Sequence, residues 1–140
     1  MINVEKLQAA LRQLSQAISD HEQWYHAFIR TITCRLPYNR RDVAEDAYHE
    51  CRFGNWYYGG DIPQELRNQP AFISLEVEHE RMHRLAARLL HASMNASLIP
   101  ASDYDDFAKA LDRFQLELYT LKHGIENLLY GHDPLTGIEN

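Results

Sequence analysis

Apolar residues recur along most of this chain in alternating steps of three and four, the spacing that aligns side chains on one face of an α-helix. The first run is Val4, Leu7, Leu11, Leu14, Ile18, His21, Tyr25, Phe28 and Ile32. Asn3 is placed to cap it and Pro37 forbids its continuation, so the pattern predicts a helix from about residue 4 to about residue 34. Val43, Ala47 and Cys51 then repeat every four residues and predict a second helix from Asp42 to Tyr58, weakened by Gly54 and closed by Gly59, Gly60 and Pro63. Residues 59 to 69 read as a connection with one short turn at Pro63 to Leu66. Pro70 suits the first turn of a third helix, whose seam is Phe72, Leu75, His79, Met82, Ala86 and Leu89. Beyond Ile99-Pro100-Ala101, Ser102 or Asp103 caps a fourth, with Tyr104, Phe107, Leu111, Phe114, Leu118, Leu121, Ile125 and Leu128 on its apolar face. The fold class this predicts is all-α: an antiparallel four-helix bundle with a short extra helical turn in the connection before the third long helix.

Composition agrees and narrows the partners. A chain of 140 residues with 45% hydrophobic content and only six glycines and five prolines can bury a core as one domain. The formal charge is −6 and Arg40-Arg41 is the one adjacent basic pair, which argues against a nucleic-acid partner. No apolar run reaches the length of a membrane span, and residues 1–6 lack the basic and apolar regions of a secretion signal, so a cytoplasmic location without membrane contact is expected. In that reducing setting Cys34 and Cys51 read as free thiols or metal thiolates instead of a disulfide.

The seams contain polar interruptions: His21 in the first, Cys51 in the second, His79 in the third with His83 one turn on. One histidine on a helix seam is more often a hydrogen-bonded core residue than a ligand. Three helices each aiming such a group inward change that balance, because buried imidazoles and a thiol cost desolvation energy that coordination removes collectively. Three nitrogens and a sulfur suit tetrahedral Zn²⁺ and fill its shell, so His21, Cys51, His79 and His83 are the expected zinc ligands, with no catalytic residue. His79-Glu80-Arg81-Met82-His83 also fits the H-E-x-x-H helix of zinc peptidases, in which Glu80 would be the general base. That reading needs a metal-bound water and a strand edge to hold the peptide. A diiron carrier is a third possibility, but it needs more bridging carboxylates. Arg81, Arg84 and Arg88 read as a solvated stripe, and Trp24, Phe53 and Trp56 as walls around the metal. His26, His49, His91, His123 and His132 read as surface histidines.

His21-Glu22-Gln23-Trp24, Cys51-Arg52-Phe53-Gly54-Asn55-Trp56 and the pair His79 and His83 together resemble the chemoreceptor zinc-binding (CZB) domain over roughly residues 4 to 128. The resemblance implies a zinc-binding helical bundle that forms homodimers, with His21, Cys51, His79 and His83 as its ligands. Asp133-Pro134-Leu135-Thr136-Gly137-Ile138-Glu139-Asn140 resembles the opening of a GGDEF diguanylate cyclase domain, with Ile138 in place of leucine. This implies a sensor over residues 1–130, a truncated opening motif over 131–140, and a C-terminal GGDEF domain that makes cyclic di-GMP from GTP. These 140 residues would themselves have no cyclase activity. By the same resemblance zinc restrains the cyclase. The fourth helix offers no ligand and continues toward the cyclase opening, which makes it the expected output element. Oxidation of Cys51 would mimic metal loss.

Overall fold

A computed structural model describes residues 3–95 and 98–131. Three long helices dominate: α1 (Val4–Cys34), α5 (Pro70–Met94) and α6 (Ala101–Tyr130). Between α1 and α5 lie a 3₁₀ turn (Arg40–Val43) and three short helices, α2 (Ala47–Glu50), α3 (Arg52–Tyr57) and α4 (Gln64–Arg67). The all-α class is as the periodicity predicts, and no strand occurs among the described residues.

The long helices start and stop where local chemistry allows. Asn3 Oδ1 accepts the Lys6 N–H at 3.1 Å, satisfying one of the free donors at the head of α1. Arg35 ends it in the left-handed conformation, φ 53°, with its N–H returned to Thr31 O. Pro70 opens α5, and Gly131 closes α6 at φ 63°, a backbone conformation glycine adopts without a Cβ clash. Pro100 occupies the cap position of α6, so that helix starts one or two residues before the expected Ser102 or Asp103 cap.

Cross-helix pairs give the directions. Tyr25 of α1 meets Tyr104 of α6, and His21 meets Phe114, so α1 and α6 run antiparallel. Trp24 lies against His83, and Tyr38, just past α1, bonds His91, so α1 and α5 run parallel. Leu7, Leu14, Leu75, Met82, Leu89, Phe107, Phe114, Leu118, Leu121 and Ile125 are fully or almost fully buried between the three helices. Burying each such side chain contributes about 1.5–3 kcal/mol.

The second helix departs from expectation. Val43, Ala47 and Cys51 do not share one continuous helix: Ala44 and Cys51 are both extended, with ψ 148° and 164°, and split the segment into three pieces. The reason is a close approach. A Cβ on Gly54 would lie 2.6 Å from His49 O and nearer still to Tyr48 O, so only glycine lets α3 pack onto the end of α2. Tyr57 then ties α3 to the start of α5, its hydroxyl donating to Phe72 O at 2.6 Å and its ring stacking on Phe72 at 4.3 Å.

Candidate metal centre

His21 occupies a seam position of α1 that continues the buried line Leu7, Ala10, Leu14 and Ala17, so helix periodicity alone carries its ring into the core. His79 and His83 sit one turn apart on the inner face of α5. These three imidazoles are 5%, 2% and 6% exposed. Cys51 reaches them from the break between α2 and α3, where it is half-buried and caps α3, Sγ accepting the Gly54 N–H at 3.3 Å. All four donor atoms lie within 4.8 Å of one another.

The distances fit a tetrahedral ion. His79 Nε2 is 3.3 Å from His21 Nε2, 3.1 Å from His83 Nε2 and 3.4 Å from Cys51 Sγ. Bonds of about 2.0–2.1 Å to nitrogen and about 2.3 Å to sulfur give tetrahedral edges of about 3.3–3.4 Å for N···N and about 3.6 Å for N···S. The remaining pairs need to close by at most about 1.5 Å to reach those edges. Hydrogen bonding cannot account for the cluster, because a ring nitrogen carries either one hydrogen or one lone pair and His79 Nε2 has three close neighbours. Each buried group left unsatisfied costs about 1–3 kcal/mol, whereas one cation at the centre would take a lone pair from all four.

Protonation favours the same assignment. Burial, then the neighbouring His83 and His21, hold His79 well below the ordinary histidine range. Burial and His21 push His83 down to about 3. His21 is also lowered by burial, against the opposing pull of the Ala17 carbonyl and Asp20. The rings are therefore neutral, and a 2.9 Å bond from His21 Nδ1–H to Ala17 O fixes the tautomer that leaves Nε2 free to ligate. Burial pushes the Cys51 thiol up, opposed by backbone N–H groups including that of Gly54, so a metal has to displace its proton.

Aromatic rings enclose the cluster. Phe53 and Phe114 lie 4.9 and 4.8 Å from His79, Phe114 is 4.8 Å from His21, and Trp24 is 5.4 Å from His83. Trp24 and Phe53 are thus walls as expected, whereas Trp56 stands behind Phe53 at 5.7 Å. Phe114 was legible only as a core position of the last helix. Its level opposite His79 depends on the register between α5 and α6, which periodicity does not encode. Glu80 points elsewhere: Arg84 donates to its Oε1 from Nε at 3.1 Å and Nη2 at 2.7 Å on the outer side of α5. His26, His49, His91 and His123 are exposed, and His132 and the motif at 133–140 lie outside the described residues.

An all-helical fold enclosing a three-histidine, one-cysteine group that could hold a metal ion defines a helical metal-binding domain. The family profile of the chemoreceptor zinc-binding domain matches residues 21–90, and the chain belongs to that family. A solved structure described as the regulatory CZB domain of DgcZ is similar at a TM-score of 0.73 and 22% identity, over 86% of this chain and 98% of that one. At that identity the likeness concerns the fold. A comparison with curated proteins finds no match. Among the described residues no helix is long and apolar enough to cross a membrane.

Two expected results arise here. Gly54→Ala should force α3 away from the Tyr48 and His49 carbonyls, withdraw Cys51 and weaken metal binding by about 10–100-fold, read by competition with a chromophoric chelator. Unchanged affinity would show that the close approach does not position Cys51. The second concerns pH. Unfolded histidines protonate near 6.5 while His21, His79 and His83 resist it in the fold, so between about 6.5 and about 3 the unfolded state binds more protons. Metal-free protein should be most stable above that window and lose stability as pH falls through it. Urea melts across the range provide the check, and flat stability would contradict burial of neutral rings.

Proposed function

We propose that this chain is a zinc-binding regulatory domain in which His21, Cys51, His79 and His83 are the ligands, controlling a diguanylate cyclase that follows it in the same protein. The observation that carries the reading is the convergence of these four donors within 4.8 Å in a CZB-family chain. Bound there, Zn²⁺ would fix α1, α5 and the α2–α3 junction to one point. Phe114 relays that state: it belongs to α6, packs on His79 and His21, and α6 continues toward the segment that resembles a GGDEF opening. With the ligands drawn together Phe114 has one seat; with them apart, neutral imidazoles repack and α6 shifts against them.

Zinc is inhibitory in this account, the chain acts as a homodimer in the cytoplasm, and residues 1–130 form the sensor with 131–140 opening the output domain. Two cyclase domains must meet to join two GTP molecules, so the geometry of paired α6 helices sets the rate. Four protein donors leave no position for a metal-bound water, and Glu80 is held by Arg84, which disfavours the peptidase reading. The described donor group has no bridging carboxylate, which disfavours the diiron reading.

The test uses the protein with its cyclase domain. Stripping zinc with a chelator should raise cyclic di-GMP synthesis several-fold, and added Zn²⁺ should reverse the rise. A rate indifferent to zinc would sink the regulatory reading, and peptide hydrolysis lost on Glu80→Gln would replace it with the peptidase.

A further inference from the structure

Three of the four donors are walled in by rings. Phe53 and Phe114 cover His79, and Trp24 covers His83, so an approach from those sides would strip a divalent cation of its water against apolar surface. Cys51 is the one donor left half-buried. Beside it lies a cavity of about 250 Å³ that reaches both Cys51 and His83. A smaller one of about 80 Å³ touches this pair and His21, and its carboxylate, Asp20, is committed to Arg52 at 3.5 Å.

The larger cavity is lined by Trp24 and by Arg41, Asp42, Glu50 and Arg52. Among the described residues the carboxylates of Asp42 and Glu50 have no hydrogen-bond or ion-pair partner, although Arg41 is a neighbour of Asp42. Two residues with unpaired carboxylates therefore line the same cavity as Cys51, one of the four donors. We propose that this cavity is the port through which Zn²⁺ reaches and leaves the four-donor group, with Asp42 and Glu50 as transient oxygen ligands on the way to Cys51. The proposal rests on the zinc reading above.

Carboxylates bind Zn²⁺ at about the distance imidazoles do, so Asp42 and Glu50 can replace its waters one at a time. The guanidinium group of Arg41, with that of Arg52, which is shared with Asp20, offsets much of their charge. Two oxygens in such a cavity hold a divalent cation weakly compared with three imidazoles and a thiolate, so the port passes the ion inward and does not retain it. Groups that act only along the path lower the barrier in both directions by the same factor. Loading and release must then change together while affinity stays constant.

The experiment measures both rates on the full chain by stopped flow, loading with Zn²⁺ and releasing it into an excess of chromophoric chelator. In Asp42→Asn combined with Glu50→Gln, loading and release should each slow by about five- to tenfold, with affinity constant within about twofold. Removing an exposed acid away from the cavity, Asp105→Asn on α6, should leave both rates alone, and Arg41→Gln should speed loading. Unaltered rates in the double variant would overturn the port. Faster release with weakened affinity would overturn it too, by placing the carboxylates in the final shell. Failure of the unaltered chain to take up zinc would overturn the zinc reading and the port with it.

Discussion

Replacing His79 with alanine is expected to abolish zinc binding under conditions where the unaltered chain holds one ion. His79 Nε2 is the hub of the donor group, 3.1 to 3.4 Å from each of the other three ligand atoms. Structural zinc in a four-ligand shell is worth about 10–16 kcal/mol, or about 2.5–4 kcal/mol per ligand, so losing one weakens binding by about two to three orders of magnitude. The same variant separates a metal role from a packing role. A chelator should lower the melting temperature of the unaltered protein, because an ion that binds only the folded state stabilises it by mass action. His79→Ala should melt at one temperature with or without the chelator. A variant that still gains stability from Zn²⁺ would remove His79 from the shell.

Phe114→Ala should be the most destabilising single change outside the donors. The ring is fully buried and touches His21, Phe53 and His79 at 4.8 to 5.5 Å between centroids. Truncating a phenylalanine in such a place costs about 3–5 kcal/mol, transfer and cavity together. In a chain of this size that lowers the melting temperature by about 10–15 °C. Phe114→Leu keeps most of the volume and should cost less than about 1.5 kcal/mol. On the proposed reading, in which a cyclase domain follows α6, the leucine variant should bind zinc normally while responding to it more weakly, because the contact between α6 and the donor group is altered and the donors are not. Urea melts and cyclase rates with and without zinc are the readouts. A loss under about 1 kcal/mol for the alanine variant would contradict the packing described.

The long helices were legible because two independent signals coincide. Seams stepping by three and four fix which face is buried, and Asn3, Pro37 and Pro70 mark ends through the backbone groups they satisfy or remove. Even there Val4, a member of the first seam, is 51% exposed, although Leu7 one turn on is fully buried. The segment from 42 to 58 reads as one helix in the sequence because Val43, Ala47 and Cys51 repeat every four residues, whereas the fold breaks it at Ala44 and Cys51. Gly54 was visible as a weak point, but its purpose, close packing on the Tyr48 and His49 carbonyls, is a tertiary fact. Cys51 therefore reaches the imidazoles for a different reason than periodicity suggested. It stands at a break, where its backbone is extended and its sulfur caps the next helix. The histidines needed no such correction, because each sits on an unbroken long helix. What periodicity could not convey was level: which residue of α6 faces the metal group depends on how far α5 and α6 slide along each other.

The central claim is that one ion is held by three imidazole nitrogens and one sulfur and by nothing else. X-ray absorption of the zinc-loaded chain tests it most directly, together with metal analysis of the same sample. The account predicts one zinc per chain, with one sulfur at about 2.3 Å and three nitrogens at about 2.0–2.1 Å. A shell without sulfur, or one completed by a water oxygen, would contradict it.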